Sequence, residues 1–162
     1  MALRWWGKSA DPGKAAAKAE FASPTQGHGP GAGQVPVIRT IAMPADTNPA
    51  GDIFGGWLMA QMDLAGAVAA KRRAHGRIAT VAVDAMTFHK PVFVGDLVSC
   101  YADLIKVGRT SMTVKIETWV ERRASGMIEK VTQATFTYVA IDRNGRPRPV
   151  ETGAGDAAKT DR

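Results

Sequence analysis

The chain has 162 residues, 45% of them hydrophobic and 22% charged, with a formal net charge of +6. That length suits one domain whose core is large enough to stand without disulfides. A single cysteine, Cys100, excludes an internal disulfide framework and a zinc site built on paired cysteines, and a reducing, cytoplasmic compartment is expected.

No apolar run approaches the ~20 residues that a membrane helix needs. The opening MALRWWGKSADPGKAAAKAE is basic but has no apolar core of the kind a signal peptide carries. Neither a membrane partner nor export is therefore expected. Residues 34–150 hold 15 basic and 10 acidic side chains, so the positive charge belongs to the middle of the chain. A basic domain favours an anionic partner, whether nucleic acid, acidic lipid or a phosphorylated small molecule.

In chain order, residues 1–33 are rich in Gly, Pro, Ala and Lys without periodicity and read as a flexible N-terminal tail. Residues 151–162 read the same way, which leaves 34–150 as the folded domain. No repeat is visible. VPVIRTIAM (Val35–Met43) alternates as a first strand, and MPADTNPAGD is turn-rich. In that loop Asp46, Thr47 and Asn48 are suited to side-chain to backbone bonds, and Asn48 is also a candidate substrate contact. Asp52 reads as a turn or capping residue rather than a second catalytic acid.

A helix follows from about Gly56 to Ala74, closing on Lys71, Arg72 and Arg73, which complement the negative end of its dipole. It is apolar on nearly every side and so calls for burial on most sides by a curved sheet. His75 stands where a C-terminal cap belongs. Strand patterns then come in close order at Ile78–Phe88, Leu97–Val107, Thr110–Arg122 and Lys130–Asp142. Val114, Ile116 and Val120 alternate with Lys115, Glu117 and Glu121, while Ala134, Phe136 and Tyr138 share a face. Cys100 reads as a small core residue, and an Asn-Gly turn closes the domain. The connections are too short for parallel crossovers, so an antiparallel α+β layout is expected.

The helix raises a question of chemistry. Asp63 sits in an apolar run, where an ionised carboxylate is costly unless paired, bonded or in use. It shares a stripe with Gly56, Ala60 and Ala67, whose small size leaves room for a neighbouring backbone or a ligand. Either Asp63 ties down a buried amide at a close contact, or it acts on something bound there. Gly55 and Gly56 open the helix, where unpaired N–H groups receive an anion or an oxyanion, and neither has a Cβ in the way. Seven residues of helical rise separate Gly56 from Asp63 by roughly 10 Å. One carbonyl does not easily reach both, whereas two antiparallel copies of the helix would bring Asp63 of one near Gly56 of the other.

The run MPADTNPAGDIFGGWLMAQMD, with AHGRIATVAVDAMTFHKPVFVGD, closely resembles the YciA-like acyl-CoA thioesterases of the hotdog-fold superfamily, over about Val37 to Pro149. The resemblance implies a helix wrapped by an antiparallel sheet, paired into a double-hotdog dimer and often a trimer of dimers. It implies hydrolysis of acyl-CoA to a free acid and CoA. By position, Asp63 matches the catalytic carboxylate and the Gly56 amide the donor that polarises the carbonyl. Lys90 and the turn Gly108-Arg109-Thr110-Ser111 match regions that contact the nucleotide end of CoA, whose phosphates suit Lys and Arg.

Thr87 either orients water or the acyl group or is a structural hydroxyl. His28, His75 and His89 show no metal-ligand spacing, so no metal is expected, and no cofactor beyond the CoA of the substrate. A non-catalytic acyl-CoA-binding module is the alternative, and it would not require the carboxylate at 63. A nucleic-acid platform lacks its aromatic-plus-basic strand pattern.

Overall fold

The computed structural model describes residues 30–150 apart from Ala32. The expected tails, with His28, lie outside the described residues, save for 30, 31 and 33.

The elements are β1 (Ile38–Ile41), a 3-10 turn at Pro44–Asp46, helix α1 (Gly55–Ala74), β2 (Ile78–Phe88), β3 (Leu97–Val107), β4 (Ser111–Glu121) and β5 (Ile128–Ala140). All strand pairs are antiparallel, in the order β1-β3-β4-β5-β2. This is the α+β hotdog layout expected from the sequence, one long helix against one antiparallel sheet. β1 is shorter than the 35–43 pattern suggests. Pro36 brings no N–H to a ladder and Pro44 turns the chain into the 3-10 turn. β5 starts and stops two residues early. Ile141 leaves it to bridge Pro147 across the Asn-Gly turn, where Asp142 Oδ1 accepts from the amides of Asn144 and Arg146.

The period-two pattern of β4 and β5 puts Met112, Val114, Ile116 and Val120, with Ala134, Phe136 and Tyr138, against the helix. Each large side chain buried there contributes about 1.5–3 kcal/mol relative to exposure. Cys100 is fully buried among them, and burial pushes its thiol up to about 11.

The helix departs from expectation. One chain covers a single face of it, through Leu58, Met62, Ala65, Gly66, Ala70 and Ala74, while Met59 and Leu64 remain exposed. A five-stranded sheet shields one side of a helix, so the second apolar side is left for something else. At its end His75 takes the left-handed conformation (φ 48°) and Arg148 Nη2 donates to the Ala74 carbonyl at 2.6 Å.

β2 is an edge strand of eleven residues, with Val81 and Val83 exposed. Its register against β5 slips twice, at Val81 and at Ala85–Met86, and Ala85 is held at φ 52°. Such bulges bend and twist a strand locally and re-aim its side chains.

Candidate active site

Asp63 lies mid-helix, half-buried, and does not face the core. Its Oδ1 accepts a hydrogen bond from Thr80 Oγ1 at 2.8 Å and a second from Tyr138 Oη at 3.2 Å. The Tyr138 hydroxyl also donates to the Asp63 main-chain carbonyl at 3.0 Å. Thr80 and Tyr138 are direct cross-strand partners on β2 and β5, which is why both hydroxyls reach one oxygen. The second oxygen, Oδ2, has no donor among the described residues. A carboxylate with one oxygen doubly bonded and the other free is oriented yet still able to act.

The sequence reading did not find Thr80 or assign a role to Tyr138. Tyr138 stands 75 residues from Asp63, and no local pattern reports that separation. The period-two face of β5 pointed only to burial.

The helix opens without a side-chain cap, at Phe54. The N–H groups of Gly55 and Gly56 have no acceptor among the described residues, as expected for the first turn of a helix. A Cβ at Gly55 would stand 3.4 Å from the Phe88 ring, and one at Gly56 would come within 2.8 Å of the Phe54 ring. Beside this end lies a cleft of about 350 Å³, lined by Asn48, Asp52, Ile53, Gly55 and Leu58 on one side and Phe88 to Val92 on the other.

The loop before the helix is held by its own polar side chains. Asp46 Oδ2 accepts from the Met43 amide, Thr47 Oγ1 donates to the Pro44 carbonyl, and Asn48 Oδ1 accepts from the amides of Ala50 and Asp52. Asn48 therefore both shapes the loop and lines the cleft. Asp52 joins the turn through its backbone, but it does not cap the helix as one reading of the sequence had it, because Phe54 is the first residue of the cap.

The other predicted contacts fall into two groups that one chain does not bring together. Lys90 stands at the cleft, already paired through Nζ with Glu129 Oε2 at 2.5 Å, and His89 beside it is exposed. Thr87, also exposed, serves the fold through its carbonyl, which accepts from Thr132 Oγ1. Arg109, Thr110 and Ser111 form the β3–β4 turn at the far end of the sheet, tied by backbone bonds to Val150, Ala140 and Gly108 respectively. Glu129 pairs with Val120, nine residues along β4 from Ser111, which is roughly 30 Å of strand.

The wall of the cleft is fixed from below. Arg122 Nη1 donates to Asp96 Oδ2 at 2.5 Å and to the Pro91 carbonyl at 3.0 Å, and its guanidinium lies over the Phe93 ring. Asp96 also accepts from the amides of Phe93 and Arg123. Glu129 lies within 3.6 Å of Arg122 Nη2, so one carboxylate links Lys90 to this buried pair. The hydrogen bond from Lys90 is the main cause that holds the Glu129 carboxyl below its ordinary range.

Residues 50–127 match the Thioesterase superfamily. The Acyl-CoA thioester hydrolase YciA of Escherichia coli K12 is 58% identical over 120 residues, covering 71% of this chain and 91% of the relative. The chain belongs to the YciA family of the thioesterase superfamily. Among solved structures of this superfamily, the hexameric thioesterase y2039 from Yersinia pestis is 57% identical, with a TM-score of 0.71 over 75% of this chain and 98% of that one. HI0827, a hexameric broad-specificity acyl-coenzyme A thioesterase, is 50% identical, with a TM-score of 0.71 over 80% and 86% of the two chains. In the YciA-family chain described here, the match spans the helix that carries Asp63 together with β2, β3 and β4.

Proposed function

We propose that the protein hydrolyses acyl-CoA thioesters to a carboxylic acid and CoA, with broad acyl scope, at a site shared by two antiparallel copies of the chain. The observation that carries the reading is Asp63, held by two hydroxyls on one oxygen and free on the other. The names of its relatives, acyl-CoA thioester hydrolases, support the substrate class.

The run of β2 supports a shared site. Thr80, bonded to Asp63, lies toward its start, while Phe88, packed beside Gly55, ends it. If this exposed edge pairs antiparallel with its own copy, the Asp63 end of one subunit meets the glycine end of the other. The same contact would cover the exposed side of the helix. Hexameric relatives support assembly beyond a dimer, and a trimer of such dimers is the arrangement proposed.

The chemistry divides between the copies. The partner's Gly56 N–H would hold the thioester oxygen and stabilise the tetrahedral oxyanion, a contribution of about 3 kcal/mol for one such donor. Asp63 Oδ2 would take a proton from an attacking water, or would attack the carbonyl itself to give a mixed anhydride that water then hydrolyses to the free acid. The C–S bond then breaks and CoA leaves as a thiolate, a good leaving group that needs no strong general acid. No metal or further cofactor enters this reaction. Lys90, and separately Arg109, Thr110 and Ser111, are proposed to meet CoA phosphates, from different subunits because one chain keeps them apart. No helix of the described residues is long and apolar enough to cross a membrane. A cytoplasmic location is part of the proposal, supported by the lone, buried Cys100.

The test is CoA release from a panel of acyl-CoA esters by wild type and Asp63→Asn. The variant should lose about 100-fold or more in kcat, the usual contribution of a positioned acid–base group. Equal rates would show that Asp63 is not the reacting group. No release by either protein on any chain length would favour the binding-module alternative.

A further inference from the structure

We propose that Tyr138 is a positioning residue for the reaction: its buried hydroxyl, shared between the Asp63 carbonyl and Oδ1, sets the carboxylate rotamer and leaves Oδ2 to react. This rests on the assignment of Asp63 above and adds a residue to it.

Tyr138 is fully buried, so it cannot touch substrate. Its ring stacks near Phe136, with centroids 6.2 Å apart, and its neighbours across β4 and on the helix are Met112 and Gly66. A phenylalanine would fill that space equally well, so packing does not explain the hydroxyl. A buried hydroxyl needs a partner, and this one is aimed at a carboxylate and at the backbone of the same residue. The helix makes room for it, because a Cβ at Gly66 would collide with Tyr138 Oη and stand 2.6 Å from Ile116 Cδ1. Glycine mid-helix is a conformational cost, and here it places the hydroxyl against Asp63.

A three-centre bond to the main chain and to Oδ1 resists rotation of the carboxylate about its last bond. Thr80 donates to the same oxygen from an exposed edge strand, with less constraint of its own. Burial, reinforced by the Asp63 charge, pushes the Tyr138 phenol far up, so it keeps its proton and remains a donor. Among the described residues, no other titratable group enters this contact. The paired Thr80 and Met112, the stacked Phe136, and Gly66 and Ile116 carry no charge, nor do Met59, Ala60 and Ala67 one helical turn from Asp63.

The experiment compares kcat and KM in Tyr138→Phe and wild type. The expected result is a fall in kcat of about tenfold or more with KM changed less than about twofold. Unchanged kcat would overturn the proposal, even if the melting temperature fell. Should Tyr138→Phe not fold, 3-fluorotyrosine incorporated in a Tyr101→Phe background labels Tyr138 alone, because the chain has two tyrosines. The more acidic phenol is a stronger donor to Asp63 and should change kcat while KM stays in place, and an unchanged kcat would overturn the proposal. An Asp63→Asn variant as active as wild type would instead remove the underlying assignment. An inactive Asp63→Asn beside an unaffected Tyr138→Phe would remove Tyr138 alone.

Discussion

Gly66 and Tyr138 are a matched pair: the hydroxyl of one occupies the space where a side chain on the other would begin. Replacing Gly66 by Ala improves helix propensity by up to about 1 kcal/mol, but it drives a methyl into a buried ring, a strain of about 1–3 kcal/mol. The strain should win. Gly66→Ala is expected to unfold at lower urea and to lose activity together with it, as the Tyr138 hydroxyl is pushed off Asp63. Denaturant melts and turnover measured side by side check both halves.

The buried pair Asp96–Arg122 should be the costliest ion pair to break. Their side chains are 4% and 13% exposed, and Asp96 accepts from two amides besides. Asp96→Ala is expected to cost about 3–5 kcal/mol, because Arg122 loses its nearer carboxylate and the amides of Phe93 and Arg123 lose their acceptor. Arg39→Ala removes the exposed pair with Glu121, 3.3 Å apart, and should change stability by no more than about 1 kcal/mol. Urea unfolding of the two variants gives the contrast directly.

Acid should loosen the wall of the cleft through Glu129. Its folded-state pKa lies below the ordinary value of 4.5, with the Lys90 hydrogen bond as the first cause. The stabilisation is therefore present in full above that ordinary value and is lost as pH falls through the lower folded-state value. Wild type should lose stability more steeply than Glu129→Gln as pH drops below 4.5. Melting temperatures of both proteins across that range give the comparison, and parallel curves would contradict the role given to Glu129.

Subunit mixing tests the shared site. Asp63→Asn and Gly56→Val should each be inactive alone, the second because its side chain meets the Phe54 ring at the helix start. Co-assembled in equal amounts, they should regain about a quarter of wild-type turnover, since half of the random dimers hold one intact site. Recovery of none, with mixed assembly confirmed by mass, would place both groups of a working site in one chain.

Much of this was legible in the sequence, for local reasons. The strand runs of β2 and β3 have the bounds read from the sequence, and β4 falls one residue short of its alternating run at each end. The glycine pair and the basic last turn bracket α1 to within one residue. Asp63 stood out because a carboxylate in an apolar helix contradicts its surroundings, and Asn48 because Asx side chains bind their own loops.

What the chain order could not decide was which groups meet. The donors to Asp63 come from β2 and β5, which pair with each other although β3 and β4 lie between them in sequence. Lys90, matched to a region that contacts CoA, pairs with Glu129, 39 residues on, which no local pattern reports. The helix called for burial on most sides, yet the sheet of one chain covers only one side of it. By itself the sequence determined the elements, the core faces and the residue that breaks the apolar pattern, since these follow from nearest neighbours along the backbone. Only the tertiary structure decided how that carboxylate is held and which of its oxygens is free, because sheet order and register act between distant parts of the chain.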